Sequence, residues 1–134
     1  MGSVARSIQY PDSKVHFAGV VEDLAAYYRD ARVVINPSVA GTGLKVKTVE
    51  SIAYGRPIVT FPHGVEGIGE PLLELCHVAS DWYEFAAKII ALLGEAGDAQ
   101  LEGKRELIKS LLEPDAVHAE LDRWLSTSDQ AAAA

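Results

Sequence analysis

Apolar residues along this chain follow two alternating patterns. Compact or alternating apolar runs at residues 14–18, 32–36 and 58–61 predict strands, and a weaker run at residues 75–79 predicts a fourth. Apolar residues recur at helical spacing over residues 22–30, about 44–54, 82–93, 99–112 and 114–125. Because strands and helices alternate, we expect an α/β fold: a Rossmann-like parallel sheet flanked by helices.

Two of the predicted helices have marked ends and faces. The helix after residue 44 should end at a left-handed Gly55, since Pro57 cannot continue it. Its predicted apolar face consists of Val46, Val49, Ile52 and Ala53. The helix after Asp81 begins with capping-box spacing between Asp81 and Glu84. Its predicted apolar face consists of Trp82, Phe85, Ala86, Ile89, Ile90 and Leu93, and Trp82 and Trp124 are both expected in the core.

Length and composition fit one soluble domain. The chain has 134 residues, of which 49% are hydrophobic. We divide it into a lead-in (1–13), a Rossmann-like domain (14–125) and a flexible tail (126–134). No apolar run approaches the ~20 residues of a membrane-spanning helix, so no span is expected. Cys76 is the one cysteine, which excludes an intrachain disulfide and favours a buried thiol in a reducing cytoplasm.

The distribution of charge favours a small anionic ligand. The net charge is −7, yet residues 31–64 contain four basic residues against one acidic residue. An acidic protein with one basic segment is a poor candidate for nucleic-acid binding. The basic segment instead predicts an anion held at one place.

The loop before the second helix is the candidate anion site. A strand ends near Asn36, and the glycine-rich loop 38–43 leads into a helix. The first amides of a helix have no partner within it and attract anions, and Lys45 and Lys47 lie in the first turn. The alternative is that both lysines are simply solvated. The loop matches neither the P-loop spacing nor the dinucleotide fingerprint, whose third small position falls on Val46.

Several motifs in consistent order resemble a known family. They are Val15-x-Phe17-x-Gly19-x-Val21-x-Asp23-Leu24-x-x-Tyr27-Tyr28, Asn36-Pro37-Ser38, the run Gly41 to Val59 with Glu50, Gly55 and Pro57, and Gly64-Val-Glu66-Gly67. Over about residues 14–94 the chain is similar to the C-terminal domain of GT-B glycosyltransferases, most closely those of group 1, also called family 4. The resemblance implies an incomplete GT-B C-terminal domain.

The resemblance also implies roles for individual residues. Glu50 occupies the position whose carboxylate binds the ribose hydroxyls, although it could also be an ordinary helix glutamate beside Lys47. Thr42 stands where family members commonly have a glutamate that touches the donor sugar. The backbone of Gly41, Thr42, Gly43 and Leu44, together with Lys45, would bind the donor diphosphate. His63 would contact the phosphate or base, unless it is a polar loop residue. No metal or cofactor is implied.

The implied partners are a nucleotide-sugar donor and an N-terminal GT-B domain that carries the acceptor site. We therefore expect metal-independent glycosyl transfer in the full-length enzyme and an inactive isolated chain. An exposed sheet edge would favour pairing with another copy. Two alternatives stay open: a non-catalytic α/β module that binds a nucleotide or phosphate, and an interaction domain with a dead site, for which Thr42 is the best support.

Overall fold

The structure is a computed structural model that describes residues 14–94, 101, 103–116 and 118–119. Four α-helices and three strands are defined, in chain order α1 (Leu24–Asp30), β1 (Val34–Asn36), α2 (Val46–Ala53), β2 (Ile58–Thr60), β3 (Cys76–Val78), α3 (Trp82–Gly94) and α4 (Arg105–Leu112). Two short 3-10 helices, Pro62–Val65 and Leu73–Leu75, lie between β2 and β3. The three strands form one sheet in the order β1-β2-β3.

Both strand pairs are parallel. Val34 lies opposite Ile58 in β2, and Ile58 lies opposite Cys76 in β3. Consecutive parallel strands side by side are the arrangement of one half of a doubly wound Rossmann-like sheet. Two clusters of buried residues connect the helices to this sheet and to one another. The predicted fold class is therefore confirmed, and the described sheet is part of such a domain.

The first buried cluster lies between the sheet and α3. It contains Val59, Phe61, Ala79, Phe85 and Leu92, with Val33 and Ile89 packed against it. The predicted face of α3 was therefore wrong in part, because Phe85, Ile89 and Leu92 form the stripe that meets the sheet. Trp82 is 62% exposed, although its ring meets Phe61 edge-on at 4.7 Å. A helix that touches the sheet along one narrow stripe leaves its other apolar residues in water.

The second cluster joins α2 to α4. It contains Ile52, Leu75, Leu101 and Ile108, with Leu72, Cys76 and Leu112 packed against it. The predicted apolar face of α2 was also wrong in part: Val46 is exposed, and Thr48 and Ser51 are buried beside Ile52. These hydroxyls donate to the carbonyls of Gly64 and Arg56, at 2.7 and 2.9 Å. Small hydroxyl side chains are buried there because the backbone supplies acceptors.

Some predicted elements differ from the structure. Residues 15–19 form no strand, and Val15 and Phe17 are exposed. An alternating pattern shows which residues share a face, but a strand also needs a neighbour to pair with. The helix predicted at 99–112 is defined from Arg105, after a turn at residues 103–104. The lead-in 1–13, the tail 126–134, Trp124 and most of the helix predicted at 114–125 lie outside the described residues.

The predicted ends of the helices agree better with the structure than the predicted faces do. Gly55 has φ +65°, as a left-handed cap requires. Asp81 caps α3, since its Oδ1 accepts from the amides of Tyr83 and Glu84, both at 2.8 Å. Glu84 reaches back to Ser80 instead of Asp81, however. Among the described residues, no helix is long and apolar enough to cross a membrane.

Candidate functional site

Two loops meet at the carboxyl edge of the sheet. One follows β1 and contains Gly41 and Gly43, whose φ angles of +131° and +92° favour glycine. The other follows β2 and contains His63. A Cβ added to Gly41 would lie 3.8 Å from His63 Nε2, so the two loops are in contact. Parallel strands end at the same edge, which is where open α/β sheets bind ligands.

A network of buried polar side chains connects the two loops to the strands and the helix beside them. The hydroxyl of Thr48 donates to the carbonyl of Gly64 at 2.7 Å, and the hydroxyl of Thr60 donates to the carbonyl of Asn36 at 3.0 Å. The side-chain amide of Asn36 lies 3.4 Å from Thr48 Oγ1. All three polar side chains are buried. The network therefore fixes the ends of β1 and β2 and the first turn of α2 relative to one another.

Lys45, His63 and Glu66 form a compact charged cluster on the loops. His63 Nδ1 lies 3.0 Å from Glu66 Oε2, and Lys45 Nζ lies 3.3 Å from His63 Nε2. If Nδ1 carries the imidazole proton and donates to Glu66, Nε2 is left to accept from Lys45. The hydrogen bond to His63 is the main cause that lowers the pKa of Glu66 below its usual value. The Lys45 side chain is only 10% exposed, so its position is well defined.

Two neighbouring cavities open at this edge. The first, of about 260 Å³, is lined by the loop from Ser38 to Lys45 and by His63. The second, of about 490 Å³, is lined by Glu50, Tyr28, the turn at residues 19–21 and the outer edge of β1. Lys47 lines both cavities. Groups that can bind an anion therefore lie beside a largely apolar cavity whose lining includes one carboxylate.

Glu50 is held at the border of the second cavity by a tyrosine. Tyr28 donates its phenol hydrogen to Glu50 Oε2 at 3.0 Å. The Tyr28 ring stacks on Tyr54, with centroids 4.9 Å apart and planes inclined by 11°. Burial first, and then the hydrogen bond to Glu50, raise the pKa of Tyr28 to about 12. The carboxylate is half-buried, and it faces a cavity instead of the core.

The structure brings most of the predicted site residues together. Gly41, Thr42, Gly43, Leu44, Lys45 and His63 all line the first cavity. Leu44 is 92% exposed, so it is accessible to a ligand. Glu50 lines the neighbouring cavity and is connected to the others through α2.

Sequence reasoning missed the partners of these residues. The carboxylate of Glu66 lies 3.0 Å from His63 Nδ1 and 3.6 Å from Lys45 Nζ. Its spacing of three from His63 was the available signal. Tyr28 is 22 positions from Glu50, and no local pattern connects them.

The comparison with protein families decides the identity of the domain. A family model described as glycosyl transferases group 1 matches residues 3–95. The chain belongs to this family. Neither the comparison with curated proteins nor the comparison with solved structures gave a match. The match includes the 14–94 region over which the motifs resemble group 1 enzymes, so the resemblance is confirmed, while the roles of individual residues stay predictions.

The groups at the carboxyl edge of this glycosyltransferase domain have a chemistry that can be described. In the part of the chain that the structure describes, no three His, Cys, Asp or Glu side chains are grouped to hold a metal ion. The first cavity instead offers backbone amides, the Lys45 ammonium and the His63 imidazole. Such groups can bind phosphate oxygens and stabilise negative charge on them.

Proposed function

We propose that this chain is the donor-binding part of a glycosyltransferase that uses a nucleoside diphosphate sugar. The observation that carries the proposal is the juxtaposition of the two cavities. A glycine loop with Lys45 and His63 lines one, Glu50 lines the other, and Lys47 lines both. A nucleoside diphosphate has the same division into a charged diphosphate and a nucleoside with a vicinal diol.

The diphosphate is placed in the first cavity. Lys45 is the N-cap of α2, and its side chain makes no capping hydrogen bond. The amides of Thr48 and Val49 donate to the Lys45 carbonyl, at 2.9 and 3.1 Å. The N-terminal amides before them are therefore directed toward the glycine loop, where the helix dipole favours an anion. The Lys45 ammonium adds a positive charge beside these amides, and His63 lines the same cavity.

The ribose is placed against Glu50, at the border between the cavities. An ionised carboxylate can accept hydrogen bonds from two vicinal hydroxyls at once, and charge-assisted bonds of this kind are strong. Glu50 lies one turn or so beyond Lys45 on α2, which suits a sugar that follows a diphosphate. The base would then occupy the apolar part of the second cavity, near Val20, Val21 and Leu24.

In this proposal the site stabilises the leaving group. As the glycosidic bond breaks, negative charge develops on the nucleoside diphosphate, and the amides and Lys45 offset that charge. We propose that these groups act without a divalent metal. The acceptor and the remaining catalytic groups are assigned to a second domain, so the isolated chain should not transfer sugar. A cytoplasmic location and pairing of copies through an exposed sheet edge remain part of the proposal.

Binding of inorganic pyrophosphate and nucleoside diphosphates tests the two placements separately. We expect K45Q to weaken binding of pyrophosphate by about tenfold or more, as loss of a charge-assisted contact would. K109Q, which removes the same charge from an exposed position on α4, is the matched control and should bind as the unchanged protein does. E50Q should weaken binding of uridine, guanosine or adenosine diphosphate while pyrophosphate binding is retained.

The outcomes separate the proposal from its alternatives. Amide signals of residues 41–50 that do not respond to any of these ligands would indicate a dead site. Equal pyrophosphate affinity of K45Q and K109Q would refute the diphosphate placement. If the chain binds nucleoside diphosphates but a full-length protein that contains it turns over no sugar donor, the non-catalytic module is the correct function. Donor turnover by the isolated chain would refute the assignment of catalytic groups to a second domain.

A further inference from the structure

The contact between Tyr28 and Glu50 has geometric consequences for ribose binding. Tyr28 is 5% exposed, and its hydroxyl donates to one oxygen of the carboxylate, Oε2. An ionised carboxylate has about four acceptor positions, of which this bond uses one. The other oxygen remains available toward the 490 Å³ cavity that Glu50 lines.

The phenol is itself held in place. Its ring is stacked on Tyr54, which follows the last residue of α2, the helix that carries Glu50. A glutamate side chain has three rotatable bonds and loses conformational entropy when it is fixed. A buried donor that already fixes one oxygen removes most of that loss before any ligand arrives.

We propose that Tyr28 is a positioning residue that orients the Glu50 carboxylate for the ribose hydroxyls. The inference rests on the proposed function, since it assigns Glu50 to the ribose. It names Tyr28 as one source of the preference for ribonucleotides over deoxyribonucleotides that the site is expected to show. Tyr28 also lines the second cavity, but its proposed effect on the ribose is exerted through Glu50.

The protonation of Tyr28 suits this role. A phenol whose pKa is raised stays neutral at physiological pH and therefore remains a donor. Ionisation would place a negative oxygen against the carboxylate and would break the contact. The other charged group on α2 that lines the same cavity is Lys47.

The test compares each nucleoside diphosphate with its 2′-deoxy counterpart, using uridine, guanosine and adenosine diphosphates. The measured quantity is the ratio of the two Kd values for the full chain. We expect a ratio of about tenfold in favour of the ribonucleotide, because one charge-assisted hydrogen bond is lost in the deoxy ligand. Y28F should lower this ratio to within about twofold, close to the ratio of E50Q. Y83F removes the same hydroxyl from a residue exposed on α3 and should keep the ratio.

Inorganic pyrophosphate is the second probe, and it distinguishes positioning from a general structural role. Y28F keeps the aromatic ring and its stack on Tyr54, so its affinity for pyrophosphate should stay within about twofold of the original. Loss of pyrophosphate binding in Y28F would overturn the positioning role. So would an unchanged ribose ratio in Y28F when E50Q loses it, or tighter binding of ribonucleotides, which would show that Tyr28 competes with the ligand. Absence of ribose discrimination in the unchanged chain would overturn both this inference and the ribose placement.

Discussion

The structure predicts a large loss of folding stability when Gly64 is substituted. A Cβ at this position would overlap Thr60 Oγ1 and lie 3.0 Å from the side-chain nitrogen of Asn36. Forcing a methyl group into a packed site costs about 1–3 kcal/mol. If Thr60 rotates away, the buried carbonyl of Asn36 loses its hydroxyl partner, which costs about another 1–3 kcal/mol. Gly64→Ala should therefore lower the free energy of unfolding by about 2–6 kcal/mol.

Thermal and urea unfolding monitored by circular dichroism measure this loss. For a domain of this size the expected fall in Tm is roughly 3 °C per kcal/mol, or about 6–18 °C. Gly69→Ala is the matched control, because a Cβ at Gly69 meets no atom within 4 Å and its φ is not positive. The control should stay within about 0.5 kcal/mol of the original chain.

A double-mutant cycle isolates the cause. Thr60→Ala removes Oγ1, so Gly64→Ala should cost less in that background, by about 1 kcal/mol or more. The rescue should be partial, since the Cβ of Thr60 would still lie 3.3 Å from the new methyl group. Strict additivity of the two substitutions, or a Gly64→Ala chain as stable as Gly69→Ala, would refute the overlap as the reason why glycine is needed.

Two further predictions follow from perturbed side chains. The pKa of Glu84 is lowered to about 2 by hydrogen bonds from the Ser80 backbone and hydroxyl and by Lys88, so the stability it contributes is present above about pH 4.5 and is lost as the pH falls toward 2. E84Q should flatten the pH dependence of the urea midpoint in that window. The control E106Q, on the first turn of α4, should keep that dependence. Equal pH profiles of the two variants would contradict the stabilising role of the Ser80–Glu84 hydrogen bonds. Burial raises the pKa of the Cys76 thiol to about 11, so alkylation by iodoacetamide at pH 8 should be slow in the folded chain and fast in urea, and equal rates would contradict its burial.

The order of elements could be predicted because it depends on local signals. β1 and β2 were placed within one or two residues by β-branched runs that end at Pro37 or a proline-rich turn. The end of α2 was placed by Gly55, whose left-handed φ few other residues adopt. Such signals act within a few positions of the residues they affect, so one sequence is enough to recognise them.

The buried faces could not be predicted as well because packing decides them. Thr48 is fully buried because a carbonyl from another loop accepts its hydroxyl. Trp82 is exposed because α3 meets the sheet along the stripe of Phe85 and Leu92. An apolar pattern identifies candidates for burial. The group that contacts and stabilises a buried side chain, however, comes from a distant part of the chain.

The candidate site shows the same division. The glycine loop and Lys45 were predictable because backbone amides at the start of a helix have a fixed chemistry. The contacts that orient the side chains were not, since Tyr28 and Glu66 reach Glu50 and Lys45 only in the folded chain. The placement of the groups depends on local sequence, and their orientation depends on tertiary contacts.

The two halves of the site are supported by separate parts of the structure, and this separation has a functional consequence. Asn36, Thr48 and Thr60 support the loops of the proposed diphosphate half, and Tyr28, from α1, supports the proposed ribose half. No residue of the buried network bonds to Tyr28 in the contacts of the described chain. Damage to the network should therefore weaken pyrophosphate and nucleoside diphosphate together, whereas loss of the Tyr28 hydroxyl should change only the discrimination of ribose. Affinity for the charged group and selectivity for the sugar would then be set independently within one eight-residue helix, α2, which carries both Thr48 and Glu50.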